Sequence, residues 1–238
     1  MGVSLTGKSC YVCGKPASSS EHVPPRAIFP TNGDVPSEIS FRRELITVPS
    51  CDDHNLRKSK DDEYLMMVLV AHFENNHLAG AQMRTKVMRA WTHNPHLANV
   101  AVQKPVSIQL NGQETMAFKV DLSRLYGAME LIARGLVFHT TGSPWVGGCH
   151  VWGLNMLPSK IETVDRVLAT SQKIKDMLHS IFGDTPFLGA NPLVFKYQIY
   201  LPVAPETLGC VRLVFYEGLE IAVFLGPVAL GDSVLGEN

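Results

Sequence analysis

Two short pairs of metal-ligating residues bracket a stretch of chain with little apolar material of its own, and they constrain the fold more than anything else in the sequence. The first pair is Cys10-Tyr-Val-Cys13, followed by Gly14; the second is Cys51-Asp-Asp-His54. Two residues between cysteines let a tight turn point both thiolates at one ion, and a following glycine permits that turn. Cys51 and His54 are three apart, so at the start of a helix they face the same way. Together the pairs supply four sulfur and nitrogen ligands, the tetrahedral set that structural zinc takes. One Cys-x-x-Cys pair alone is a weak signal, and the cysteines also admit a reading as unrelated reduced thiols. The second pair gains weight from its setting: residues 1–60 are rich in Pro, Gly, Ser and charge, and a segment so short of periodic apolar positions is expected to need a staple. The remaining two of the five cysteines, Cys149 and Cys210, stand apart and read as small buried apolar residues rather than a disulfide framework.

With 45% apolar residues in 238, the chain has material for one to two folded domains and is not a disordered chain. Its longest apolar runs, Leu65–Ala71 and Ile221–Leu225, fall far short of the ~20 residues a membrane span requires. Met1–Lys8 lacks the apolar run of a leader, so a cytoplasmic location without membrane contact is the expectation. The net charge of −1 argues against a bulk electrostatic grip on nucleic acid, and such a role needs local clusters of cations. Arg42-Arg43 and Arg57-Lys58-Lys60 are two such clusters, although charge runs also serve simply as solvated faces.

Helical spacing begins at Asp61, with Leu65, Leu69 and His72/Phe73 on one face, and a second helix is expected over 78–91 before the turn Asn94-Pro95. Val106–Leu110 and Thr115–Val120 flank Asn111-Gly112, a hairpin signal. Asp121 reads as the N-cap of a helix striped with Leu122, Leu125, Met129, Ile132 and Leu136. The segment 143–157 reads as irregular or strand, and 161–182 as an amphipathic helix ending at Gly183. Leu193–Leu201, Val211–Tyr216 and Glu220–Leu225 read as strands of an antiparallel sheet, and the tail 227–238 as frayed. The expected class is α+β, divided at a soft boundary into a stapled module over 1–75 and an α+β domain over 76–238 with an antiparallel sheet and two or three amphipathic helices.

Between the ligand pairs lies Ser20-Glu21-His22-Val23-Pro24-Pro25-Arg26, and after the second pair come Asn55, Lys58 and Lys60. In this order, Cys-x-x-Cys-Gly, Glu-His-Val-Pro-Pro-Arg, Leu-Ile-Thr-Val-Pro-Ser-Cys-x-x-His-Asn and Ser-Lys-Asp-Asp-Glu-Tyr, the motifs resemble the zinc-ribbed HNH endonucleases of bacteria and phages, over Cys10–Leu65. The resemblance implies a ββα-metal unit held by a structural zinc on Cys10, Cys13, Cys51 and His54. It implies that His22 is the general base, with Glu21 and Asn55 as catalytic residues that hold a divalent Mg or Mn ion, and that Lys58, Lys60 and Arg26 contact substrate phosphate. The chemistry is coherent, because a phosphodiester yields to water only after deprotonation, and histidine titrates near working pH.

Two departures from the family pattern stand out. The fourth zinc position is His54 where cysteine is usual, an exchange within the common Cys₃His set. The middle Asn of the motif is missing, with Leu45-Ile46-Thr47-Val48 in its place and Thr47 the candidate substitute. Plainer roles exist for each residue: His22 as a turn residue, Asn55 as a helix-start residue, Asp61-Asp62-Glu63 as a helix N-terminus. The expected function is thus a metal-dependent endonuclease acting on nucleic acid, DNA first, and compatible with a homo-oligomer. The rival is a catalytically silent zinc-ribbon module that binds nucleic acid or protein; a third possibility places a ligand-sensing role in the C-terminal half. Loss of the zinc is expected to unfold the N-terminal module.

Overall fold

The computed structural model of the chain describes residues 7–35, 38, 40–55, 59–93, 103–110, 112–158, 163–201 and 207–226. Arg57, Lys58, the Asn94-Pro95 turn, His96, Asn111, Ile161 and the tail 227–238 lie outside them. Strands β1 (Ser19–His22) and β2 (Thr47–Ser50) pair antiparallel, with Glu21 opposite Val48 and His22 opposite Thr47. The short helix α1 (Asp52–Asn55) follows β2 directly, and α2 (Ser59–Val70) comes next. Tyr64–Val70 are all buried, so the C-terminal half of the helix is apolar and packed on every side, while its first half is charged and Glu63 is exposed. α2 stops short of the His72/Phe73 position expected on its face, and Phe73 is 46% exposed. Asn75 accounts for this stop, since its side-chain amide donates to the carbonyl of Leu69 at 2.6 Å.

The expected second helix is present in three parts: α3 (His77–Gln82), a π-helical stretch over Met83–Val87 and α4 (Met88–His93). The hairpin of β3 (Gln103–Leu110) and β4 (Gln113–Lys119) turns at Gly112, whose φ of 77° is open to glycine. α5 (Leu122–Thr141) is capped by Asp121, which accepts from Arg124 N at 3.2 Å, and ends at Gly142 in the left-handed region. Leu125, Met129, Ile132 and Leu136 of its stripe are fully buried; Leu122, in the first turn, is instead 38% exposed.

Five antiparallel strands form the main sheet in the order β5-β9-β8-β7-β6: β5 (Gly148–Gly153), β6 (Leu188–Asn191), β7 (Phe195–Tyr200), β8 (Gly209–Phe215) and β9 (Leu219–Gly226). Its two faces follow the alternation along each strand. Val211, Leu213 and Phe215 of β8, with Ile221, Val223 and Leu225 of β9, enter the core that holds α2 and α5. Cys210 and Ala222 face the other way, into a smaller cluster with Trp152, Leu178 and Phe182, the last two on α6 (Val164–Phe182). The fold is therefore α+β and layered, with α5 on one face of the sheet and α6 on the other. Among the described residues no helix is long and apolar enough to cross a membrane.

The N-terminal stretch turns out not to lack apolar contacts. Tyr11, Val23, Ile28, Phe29 and Val48 are all buried in the same core as α2, α5 and the sheet. α5 provides much of this by packing on β2 as well as on β5 and β9. Gly135 of α5 marks the closest approach: a Cβ there would meet the Val23 side chain at 2.6 Å.

Candidate metal centre

The turn carrying the first ligand pair is built by backbone bonds. Cys10 N donates to Lys15 O at 2.7 Å, Gly14 N donates to Cys10 O at 3.0 Å, and Gly14 adopts a φ of 72° that an L-residue rarely takes. Tyr11 N donates to Pro49 O at 2.9 Å and Ser18 N to Ser50 O at 3.0 Å, which fastens the turn to β2. The second pair is placed by α1, where the Cys51 carbonyl accepts from both His54 N and Asn55 N.

All four candidate ligands meet. One ligand atom from each of Cys10, Cys13, Cys51 and His54 lies within 4.8 Å of the others. Cys13 Sγ and Cys51 Sγ are 3.8 Å apart, Cys10 Sγ and His54 Nδ1 3.6 Å, and Cys51 Sγ and His54 Nδ1 3.2 Å. A tetrahedron around zinc, with bonds of about 2.3 Å to sulfur and 2.0 Å to nitrogen, has edges of about 3.8 Å and 3.5 Å. The four residues therefore fit a metal ion such as zinc in both donor chemistry and spacing. Burial opposes ionisation of the Cys10 thiol, but N–H donors of Cys13, Val12 and Cys51 prevail and hold it below its ordinary value. Burial pushes the Cys51 thiol up, and its neighbours Cys10 and Cys13 add to this, a crowding that a bound cation relieves. The other two cysteines behave as expected of unreactive thiols: burial pushes Cys149 up to about 11 and Cys210 up to about 12.

The remaining candidate residues surround this centre without forming one cluster. Glu21 is buried and its Oε2 accepts from the Tyr11 hydroxyl at 3.4 Å. Asn55 donates through Nδ2 to Ser19 Oγ at 2.8 Å, and Ser19 shares its side of β1 with Glu21 by strand alternation. His22 ends β1, partly buried, and alternation sets its side chain on the other side; it has no hydrogen bond to Asn55. Burial lowers its pKa, with Arg26 next in effect and Arg42 adding to it against Glu21. Arg26 is exposed at the head of the 3₁₀ turn Arg26–Ile28. Lys58 lies outside the described residues, and Lys60 falls in the first turn of α2.

Several residues around the site carried no sequence signal. Ser19 orients Asn55. Gln82 and Tyr216 both donate to the Ile28 carbonyl, and Lys86 donates to Ala27 O at 2.6 Å. All but Ser19 reach the turn after His22 from remote sequence, which no local pattern announces. No family model matches the chain, and neither a curated protein nor a solved structure matches it significantly.

Proposed function

We propose that the chain is a metal-dependent endonuclease of the HNH kind that hydrolyses phosphodiester bonds of nucleic acid, DNA first, with His22 as general base. The observation that carries this reading is the Cys10–Cys13–Cys51–His54 cluster, which joins the turn preceding the strand of Glu21-His22 to the helix bearing Asn55. A zinc ion held by these four residues would be structural and would rigidify the turn and the helix. In the reaction, neutral His22 accepts a proton from water as the water oxygen bonds to phosphorus, and the bond from phosphorus to the 3′ oxygen breaks, that oxygen taking a proton from solvent as it leaves. Burial and Arg26 lower the pKa of His22, which favours the neutral ring that a base needs. A divalent Mg or Mn ion, when bound, would supply charge stabilisation at the scissile phosphate. Glu21, whose Oε2 accepts from Tyr11, and Asn55 through its Oδ1, the amide nitrogen being engaged with Ser19, would be the residues to hold it.

The test is plasmid nicking with Mg²⁺ or Mn²⁺ by wild type and by His22→Ala, with about one zinc per chain verified in both. Cleavage that the substitution abolishes supports the reading. No cleavage by wild type on several DNA and RNA substrates overturns it. A second reading, a zinc module that binds without cutting, is favoured by the alternation that sets His22 opposite Asn55 and by the engagement of Glu21 with Tyr11.

A further inference from the structure

Three basic side chains from separate stretches of sequence meet at the turn that follows His22, and a fourth, Arg89, pairs with Asp34 beside them. Arg26 opens the turn, Arg42 comes from the loop before β2, and Lys86 and Arg89 come from the π-helical stretch and α4. Arg42 Nε donates to Phe29 O at 3.0 Å, and Lys86 Nζ donates to Ala27 O at 2.6 Å. The carbonyl between them, Ile28 O, accepts from Gln82 and Tyr216. Three successive carbonyls of one turn are each held by a side chain from elsewhere. The turn is thereby fixed, and two cations are moored two residues apart on it.

Carbonyl dipoles orient these cations but do not neutralise them. Among the described residues, Arg26, Arg42 and Lys86 form no ion pair; within the group only Arg89 does, with buried Asp34. Glu63 acts on Lys86 from farther away. Four cations thus face Asp34 and Glu63, with Glu21 beside His22 a third carboxylate nearby, and burial and mutual repulsion act on Arg42 and Lys86 together. Like charges held close and partly buried carry a cost that the carbonyl contacts offset in part and that a bound anion would relieve.

The backbone supplies an independent observation. Lys86 stands in the stretch Met83–Val87 where the helix widens to π geometry, a rare departure that concentrates at functional sites. Thr85 within it bonds back to Ala81 O at 2.8 Å and across to Asp34 O at 3.1 Å, which anchors the stretch against the 31–35 loop.

We propose that Arg42 and Lys86, together with Arg26, form a cradle for the phosphodiester backbone of a nucleic acid, next to His22. The guanidinium of Arg42 keeps N–H groups beyond Nε for a two-pronged contact with phosphate oxygens, and the ammonium of Lys86 keeps donors beyond the one given to Ala27. The cradle rests on the nuclease reading only for His22 as its neighbour; it positions the strand and takes no part in bond breaking. It also explains how a chain of net charge −1 can hold a polyanion: the positive charge is local.

The experiment is fluorescence anisotropy of a labelled DNA duplex without added divalent ion, repeated over a range of KCl concentrations. Arg42→Gln and Lys86→Gln should each weaken binding about tenfold at low salt and lower the slope of log Kd against log salt by about one. Lys173→Gln on the exposed face of α6 should change neither. Because both residues also brace the turn, amine labelling of the wild-type chain provides a second measurement that needs no variant. Bound duplex should shield Lys86 from the reagent and leave Lys173 as reactive as before. Unchanged slopes in well-folded variants, equal labelling of Lys86 with and without duplex, or no binding at low salt each overturn the cradle. Slope changes in a protein that nicks nothing leave the cradle standing and remove the nuclease; nicking with unchanged slopes does the reverse.

Discussion

His22 and His72 are two partly buried histidines whose titration follows from their surroundings. Both have pKa values lowered chiefly by burial, His22 further by Arg26 and His72 against the partial support of the Asn155 carbonyl. In a 15N-NMR titration both rings should therefore reach half-protonation below about 6.5, the ordinary histidine value. If His22 is the base, the acid limb of cleavage should lie in the same lowered range. His72 makes a stability prediction. Its Nδ1 accepts from Glu74 N at 3.4 Å and its Nε2 lies 3.3 Å from Asn155 O, an arrangement suited to the neutral ring with the proton on Nε2. A folded-state pKa below the unfolded one means that the contribution is complete above about pH 6.5 and is lost as pH falls through the folded value. Urea melts at pH 7.5 and 5.5 should show wild type losing more stability on acidification than His72→Gln; equal losses would remove His72 as the source.

At the scale of elements, α5 is the piece on which the N-terminal strands rest. Alanine normally improves on glycine inside a helix by about 1 kcal/mol. At Gly135 the new Cβ would press on Val23, which is buried and stiff at its branched carbon, so Gly135→Ala should destabilise by about 1–3 kcal/mol. Adding Val23→Ala should recover part of that loss, and additive effects in the double mutant would refute the contact. The zinc prediction is sharpened by the shared core. Because Tyr11, Val23 and Val48 pack with α2 and α5, chelation should loosen the turn over 8–17 and α1 first, while the five-stranded sheet stays folded. Hydrogen exchange before and after verified zinc removal reads this directly, and unchanged protection around Cys10 and Cys51 would argue against a bound structural metal.

The same scale shows what the sequence made legible. α5, the β3–β4 hairpin, β7, β8, β9 and the four-ligand centre depend on local spacing, caps and turn residues, and each could be read from a window of chain. β6 could not: Leu188-Gly-Ala-Asn191 is a short edge strand without alternation, defined by its neighbour β7. The apolar residues of the first fifty positions were also hidden, because Tyr11, Val23, Ile28 and Val48 have no period and become core only through α2 and α5. Around the site, the Arg42-Arg43 run was visible as charge, but its alignment with Lys86 depends on a helix more than forty residues further along.

For the whole molecule, the layered core joins both ends of the described chain, so a lesion in the middle is felt at the site. Leu136, fully buried where α5 lies against the core, should lose about 2–5 kcal/mol on replacement by alanine, seen as a lowered denaturant midpoint. The Tyr216 hydroxyl offers a finer probe. Tyr216 is fully buried at the turn between β8 and β9 and reaches the Ile28 carbonyl beside Gln82. Tyr216→Phe should cost about 1–2 kcal/mol and loosen the 26–29 turn without altering zinc content. An unchanged midpoint would show that Gln82 alone suffices to hold the turn.

That one bond also has a bearing on timing. Ile28 and Tyr216 are 188 residues apart, so the turn bearing the cationic cradle waits for a hydroxyl synthesised much later. At roughly 5–20 residues per second the wait on the ribosome is on the order of ten to forty seconds. The cysteine pairs, by contrast, are complete once His54 emerges. The four-ligand cluster can thus assemble from the first quarter of the chain, whereas the 26–29 turn is completed only by a residue near the end of the described chain.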